Sequence, residues 1–160
     1  MSALVEVRDL QVSEVDLATW CTSVHLRYVR EALARRDIGE VDYVAAWLGS
    51  ELVGLGGIDY AKVPGVGTIW MLGVAKSRRS KGIGTAIVEH LEARAIDRHI
   101  DATALAVETD NSRAEALYMQ LGYQRTGVVE EESWEQESES GEVTTHHAQS
   151  WVMRKALRRG

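Results

Sequence analysis

The chain has 160 residues, of which 45% are hydrophobic, and a net charge of −6, so we expect a single domain over residues 1–160 with a core of its own. The acidic balance argues against general nucleic-acid binding, and no apolar run is long enough to span a membrane. The single cysteine, Cys21, permits neither an internal disulfide nor a thiolate metal cluster, and no secretory signal opens the chain, so we expect a cytoplasmic protein without a metal.

The first two elements are a strand and a helix. Residues 4–10 alternate between apolar and polar side chains, which is typical of a strand. The apolar spacing over 22–36 is typical of an amphipathic helix. The arginines of this helix are expected on its solvated face; they are Arg27, Arg30, Arg35 and Arg36.

A β-hairpin is predicted next. It joins residues 42–48 to residues 51–60, because a Gly-Ser pair between them is a suitable two-residue turn. Gly56 and Gly57 lie inside the second strand, and glycine there indicates a bulge or a close backbone neighbour.

A third strand at 67–75 leads into a basic turn and then a helix over 83–98. Glycines at 82 and 84 leave the backbone of this turn accessible, and the first amides of a helix attract anions. We infer that a phosphate-bearing ligand binds here. A solvated basic turn is the alternative, because a short Gly-x-Gly is a weak motif. The basic residues of the turn are Lys76, Arg78, Arg79 and Lys81.

The second half of the chain begins with a strand at 102–108. We expect it to run parallel to 67–75, because a helix connects the two. Ser112 and Glu115 have the spacing of a capping box, which predicts a helix with Ser112 as its N-cap. This helix should end at Gly122. Its apolar face would consist of Ala114, Leu117 and Leu121.

Two further strands are predicted at 123–129 and 148–155. The segment 130–142 between them is strongly acidic, and a run of like charge resists packing. It is expected to be a flexible loop or, alternatively, a lid that attracts an amine. In the second case it would flank an acceptor pocket together with the helix at 22–36.

Three segments, in this order and spacing, resemble the GCN5-related N-acetyltransferase (GNAT) family. The first matches the family's strand and acetyl-CoA turn, the second its strand-Asn-helix segment with a tyrosine, and the third the close of that helix. The segments are Val74–Gly84, Val107–Tyr118 and Leu121–Tyr123.

The resemblance implies an α/β (α+β) fold with a mixed, mostly antiparallel sheet of about seven strands, a splayed parallel pair and flanking helices. It also implies acetyl-CoA as cosubstrate, with pantetheine against the strand that ends at Val74 and the pyrophosphate on the glycine turn. The residues so implied for acetyl-CoA are Leu72, Val74, Lys76, Arg79, Ser80, Lys81, Gly82, Ile83, Gly84, Thr85, Asn111 and Tyr118. Asn111, next to a helix start, has the alternative role of shaping the turn.

The implied reaction is direct attack of an amine on the thioester. Tyr118 would act as general acid toward the leaving thiolate, and the backbone amide of Val74 would stabilise the oxyanion. An alkylammonium has a pKa of about 10.4 and must first lose a proton, but the strand at 67–75 carries no acid. The remaining candidates for the base are Asp59, Glu108, His146 and His147.

The acceptor is expected to be a primary amine. The acidic segment and the net charge favour a small cationic amine, and a peptide N-terminus or lysine comes next. A homodimer is compatible with the resemblance. The rival hypothesis is a catalytically silent acyl-CoA-binding module of the same fold, since the strand before the turn lacks a carboxylate.

Overall fold

The computed structural model describes residues 4–79 and 81–158, which form a seven-stranded mixed sheet with helices on both faces. The strands are β1 (Val5–Asp9), β2 (Val41–Leu48), β3 (Glu51–Val63), β4 (Val66–Val74), β5 (Ala102–Glu108), β6 (Gln124–Glu137) and β7 (Val143–Ala156). The helices are α1 (Ser23–Asp37), α2 (Ile83–Asp97) and α3 (Ser112–Gln120), with 3-10 turns at Val12–Leu17 and Lys76–Arg78. None of the helices in these two ranges is long and apolar enough to cross a membrane.

The strand order is β1-β2-β3-β4-β5-β7-β6. All neighbours run antiparallel except β4 and β5, which are parallel because α2 connects them. The fold class, the meander of the first half and the parallel pair are therefore as predicted.

Two apolar cores lie on opposite faces of the sheet. On β2, Val44 and Ala46 face the core that α2 covers, whereas Tyr43 and Trp47 face the core that α1 covers. Strand β2 is therefore apolar nearly throughout, as expected of a strand buried on both faces.

Glycines on β3, which the sequence connected with a bulge or a close backbone neighbour, allow side chains to pack closely against the strand. A Cβ atom on Gly56 would lie 2.8 Å from Ile87 Cγ2, and one on Gly57 would lie 2.6 Å from Trp70 Cζ3. The β3–β4 register also shifts here, because two residues of β4, Met71 and Leu72, lie opposite Gly56. Met71 has a φ of +53°, so β4 contains a β-bulge at this point.

The prediction of a flexible loop over 130–142 is wrong. Strand β6 continues to Glu137 and β7 begins at Val143, so most of the acidic segment belongs to a long hairpin. Strand geometry places successive carboxylates on opposite faces, and Arg27 and Lys62 pair with two of them. The repulsion that the sequence suggested is thereby reduced.

The start of α3 also differs from the prediction. Asn111, not Ser112, is the N-cap, and its Oδ1 accepts a hydrogen bond from the Ala114 amide at 3.1 Å. Glu115 pairs with Arg125 instead of closing a capping box. Leu117 is 38% exposed, and the face of α3 that packs against the core consists of Ala114, Tyr118 and Leu121.

Candidate functional site

The site is organised around a gap between β4 and β5. The two strands pair only at Val66–Thr68 with Ala102–Ala104. Beyond Thr68, β4 stays paired with β3, and β5 stays paired with β7. Strands β4 and β5 no longer pair with each other there. The splayed parallel pair that the family resemblance implied is therefore present.

The backbone of β4 presents Val74 to this gap. The Ala75 amide donates to the Val53 carbonyl at 2.8 Å, so alternation along an antiparallel ladder turns Val74 away from β3. The Val74 carbonyl accepts instead from Arg79 Nε at 3.3 Å. This leaves the Val74 amide directed at whatever occupies the gap.

The turn before α2 has the backbone geometry of an anion site. Gly82 is the N-cap, with a φ of +79° and no side-chain cap, so the first amides of α2 are not claimed by a capping side chain. A Cβ atom on Gly84 would approach only Val74 Cγ2, at 3.9 Å. Arg78, however, is paired with Glu51 at 2.9 Å. Lys76, Arg79 and Lys81 have no carboxylate partner in the described part of the chain, although Arg79 Nε donates to the Val74 carbonyl, so their charges are available to an anion.

Apart from Asn111 and Tyr118, which belong to α3 and its cap, the sequence-predicted cosubstrate residues form one path along the chain. It runs from the bulged strand (Leu72, Val74) through the turn (Lys76, Arg79, Lys81, Gly82) to the first turn of α2 (Ile83, Gly84, Thr85). The Ile83 side chain is buried in the core, so only its backbone is available. Ser80 lies outside the described residues. Asn111 uses its side-chain oxygen as the α3 cap.

Tyr118 lies on α3 and packs edge-on against Tyr123, with ring centroids 6.2 Å apart. Burial raises the pKa of its phenol, so the hydroxyl stays protonated at neutral pH. Within residues 4–79 and 81–158, this hydroxyl has no hydrogen-bond partner. Tyr118 can therefore donate its proton to a bound group.

A cavity of about 780 Å³ opens on the α1 face of the gap. Its wall combines residues of β4 and β5 (Thr68–Leu72, Ala106) with the N-cap and two residues of α1 (Thr22, His25, Tyr28), Lys62 of β3, and residues 132–137 of β6. The aromatic rings of Tyr28, Trp70 and Trp134 line it, and so do three glutamates.

Helix α1 and strand β6 are joined across this cavity. Arg27 pairs with Glu135 at 2.5 Å, and the Ser23 hydroxyl donates to Glu137 at 2.6 Å. The Glu135 amide also donates to the Tyr28 hydroxyl. The helix at 22–36 and the acidic segment, which the sequence placed around one pocket, thus line the same cavity.

Two of the four candidate bases are in contact. Glu108 Oε1 lies 2.6 Å from His146 Nε2, and both side chains are about one-third exposed. The His146 ring also contacts the ring of Trp134, a cavity residue, with centroids 4.7 Å apart and the planes tilted by 47°. His147 follows His146 on β7 and therefore points to the opposite face.

Asp59 lies in a different environment. Its carboxylate accepts from both Nη atoms of Arg35, at 2.9 and 3.0 Å, and from the amide of Ala61. Burial raises its pKa, but the Arg35 hydrogen bonds and the backbone amides outweigh burial and hold that pKa below its usual value. Asp59 does not line the cavity.

Two cavity residues were not foreseen. Burial lowers the pKa of His25, which favours a neutral imidazole, and no motif in the sequence singles it out. Thr68 is 8% exposed, and its hydroxyl is buried without a hydrogen-bond partner in the described part of the chain. The sequence did contain one indication of Thr68, because it is a polar residue in an otherwise apolar strand.

The described ranges contain no group of three or more His, Cys, Asp and Glu side chains that could hold a metal ion. The site therefore consists of a strand gap, an anion-binding turn and a cavity with titratable side chains.

Comparison with known proteins agrees with this geometry. The model of the acetyltransferase (GNAT) family matches residues 9–123, whereas no curated protein matches. Similar structures include the ribosomal-protein-S18-alanine N-acetyltransferase from Escherichia coli (15% identity, 98% of this chain and 96% of that one, TM-score 0.71).

Two further similar structures contain coenzyme A. One is the PaiA N-acetyltransferase from Thermoplasma acidophilum (14% identity, 98% and 100% of the chains, TM-score 0.68). The other is an aminoglycoside 6'-N-acetyltransferase (19% identity, 97% and 99% of the chains, TM-score 0.67). At these identities the likeness establishes a shared fold.

Proposed function

The chain belongs to the GNAT acetyltransferase family, and we propose that it moves the acetyl group of acetyl-CoA to a primary amine by direct attack. The observation that carries this proposal is the gap between β4 and β5. At one end the gap leads to the first backbone amides of α2, after Gly82, which have no capping side chain. It also opens into the cavity on the α1 face. A thioester in the gap would therefore meet an acceptor in the cavity.

Binding of acetyl-CoA is supported by the backbone geometry. The diphosphate would accept hydrogen bonds from the first amides of α2 and gain from the helix dipole. Pantetheine would lie beside β4, with the Val74 amide available as a donor. The coenzyme A bound to two proteins of the same fold agrees with this assignment.

The acetyl transfer forms one bond and breaks another. The neutral amine nitrogen attacks the carbonyl carbon of the thioester, and the carbon–sulfur bond then breaks. The Val74 amide would stabilise the oxyanion that forms in between. Tyr118 would give its phenolic proton to the departing thiolate, a role supported by its protonated hydroxyl without a partner in the described chain. The nitrogen of the new amide would then lose its surplus proton, which restores the phenol.

The acceptor must also lose a proton before it reacts. Of the candidates from the sequence, the Glu108–His146 pair is best supported, because His146 contacts the cavity residue Trp134. The carboxylate would fix one ring nitrogen and leave the other to accept the proton. His25, neutral and in the cavity wall, is a second acceptor for that proton.

A small cationic amine is the favoured acceptor, and a peptide N-terminus or lysine comes next. Glutamates outnumber cations in the cavity wall, where Lys62 is already paired with Glu130. The rival function, a silent acyl-CoA-binding module, is favoured by one observation, namely the absence of any acid from β4.

Two measurements test the proposal. Calorimetric titration should show binding of acetyl-CoA, and a thiol reagent should detect release of coenzyme A when amines are added. Mass spectrometry would identify the acetylated product. Binding without thiol release from any amine would support the silent module, and no binding by folded protein would reject both functions.

A further inference from the structure

The cavity contains one carboxylate without a partner in the described part of the chain. Glu135 is paired with Arg27, and Glu137, although not ion-paired, accepts a hydrogen bond from the Ser23 hydroxyl. Glu132 is partly buried and lines the same cavity, yet it has no hydrogen-bond or ionic partner among the residues that the structure describes. Removing a carboxylate from water without a partner is unfavourable, so Glu132 is suited to a cation supplied by the ligand.

Aromatic side chains surround the same space. Strand alternation places Glu132 and Trp134 on one face of β6, and Tyr28 and Trp70 line the cavity too. The faces of such rings attract ammonium groups, and more strongly when water is excluded. A carboxylate among aromatic rings is a combination that selects a cation carried on an apolar chain.

The reacting nitrogen is poorly suited to be that cation. It must be neutral when it attacks, and a nearby carboxylate would favour its protonated form and raise its pKa. Contact with Glu132 would therefore tighten binding of the unreactive state and slow the reaction. The carboxylate helps catalysis only if it holds a nitrogen that remains charged throughout.

The reacting nitrogen must be placed elsewhere in the site. It has to reach the thioester in the gap between β4 and β5, and the cavity adjoins this gap through residues of both strands. Glu132 belongs to the part of the cavity wall that β6 forms. The cavity therefore offers separate places for a neutral nitrogen, at the gap, and for a charged nitrogen, at Glu132.

We propose that the acceptor is a diamine or polyamine, with one primary amine that reacts at the gap between β4 and β5 and a second nitrogen that stays protonated and is held by Glu132. This inference rests on the proposed function and names its substrate class.

The test compares amines of equal chain length with and without a second ammonium group. Diaminobutane and diaminopentane are the diamines, and butylamine and pentylamine are the matched monoamines. Each is titrated by calorimetry and by quenching of tryptophan fluorescence, since Trp70 and Trp134 line the cavity. Each is also assayed for release of coenzyme A. A short peptide with a free N-terminus serves as the competing acceptor.

The variants are Glu132→Gln and, as the matched control, Glu131→Gln. Glu131 adjoins Glu132 on β6, points to the opposite face and does not line the cavity. We expect diamines to bind at least about tenfold more tightly than monoamines, as one desolvated ion pair can provide. Glu132→Gln should abolish this preference, and Glu131→Gln should retain it.

Each outcome has one meaning. Equal binding of monoamines and diamines, equal effects of the two variants, or a clear preference for the peptide would overturn the inference. If diamines bind selectively through Glu132 but no coenzyme A is released, the diamine class is supported and the proposed acetyl transfer is rejected. If monoamines are acetylated as well as diamines, acetyl transfer is supported and the diamine class is rejected.

Discussion

Glu108 and His146 come from strands β5 and β7, and their side chains meet at 2.6 Å beside the aromatic ring of Trp134. The two residues are 38 positions apart in the sequence, so only the fold brings them into contact. It places a carboxylate and an imidazole beside Trp134, a residue of the cavity wall.

Replacement of His146 by glutamine should lower kcat by about a hundredfold, the usual effect of losing a general base. The rate of the variant should also rise with pH as more of the amine loses its proton unaided. His147→Gln is the matched control, because His147 adjoins His146 and points to the other face. Equal effects of the two variants would show that His146 is not the base.

Tyr118→Phe should lower kcat by about ten- to a hundredfold and leave the affinity for acetyl-CoA unchanged, because only the proton donor is lost. Tyr123→Phe should behave differently. The Tyr123 hydroxyl lies buried between Thr103 and Glu92, so its loss should destabilise the fold by about 1–3 kcal/mol. Thermal unfolding and steady-state kinetics separate the two effects, and full turnover by Tyr118→Phe would contradict the assignment.

Gly84→Ala should weaken binding of coenzyme A without destabilising the protein. The new methyl group would find only ordinary contact with Val74, and alanine favours a helix over glycine by about 1 kcal/mol. The same methyl group would obstruct a phosphate at the helix amides. Calorimetry with coenzyme A and a thermal melt check the two halves of this prediction, and unchanged affinity would place the diphosphate elsewhere.

Loss of the Arg27–Glu135 pair should raise the KM for the acceptor severalfold, because that pair joins α1 to β6 across the cavity. Arg27→Gln tests this, with Arg30→Gln as control. Arg30 lies on the same helix and pairs with Asp16, away from the cavity wall. The affinity for acetyl-CoA should not change in either variant. Equal KM values would show that the junction plays no part in acceptor binding.

Stability should decline in mild acid. Burial lowers the pKa of His25 and of His90, and Arg94 adds to the shift at His90. The unfolded chain then binds more protons than the folded one, so this part of the stability is complete above the ordinary value of 6.5 and is lost as pH falls below it. Urea unfolding at several pH values measures the slope.

A His25→Gln/His90→Gln double variant should flatten that slope. His147→Gln, at an exposed position, should leave it unchanged. An identical slope in all three proteins would assign the acid sensitivity to the carboxylates.

The sequence predicted most of the fold because α1 and α2 have apolar residues at helical spacing and β2 is a continuous apolar run followed by a suitable turn. It failed over 130–142, where charge suggested a loop. The pairing partners of those glutamates lie on β7 and on α1, which are distant in sequence. Similarly, Asn111 and Ser112 are both good caps, and only the backbone path decides between them.

Part of the candidate site could also be predicted from the sequence. Gly82, Gly84 and Tyr118 were identified because they occupy fixed positions in sequence motifs. His25 and Thr68 were not, since they gain their position only when α1 and β4 come together in space. A cavity formed by several separate elements leaves no local pattern in the sequence.

Because β4 and β5 share three residue pairs among the described residues, the sheet is two half-sheets held along a short seam. A molecule of coenzyme A that bonds to both strands would lengthen this seam. The backbone amides at 69–74 and 105–108 should then exchange with deuterium more slowly, and the protein should melt at a higher temperature. The cosubstrate would thus serve as a structural part of the enzyme for as long as it stays bound.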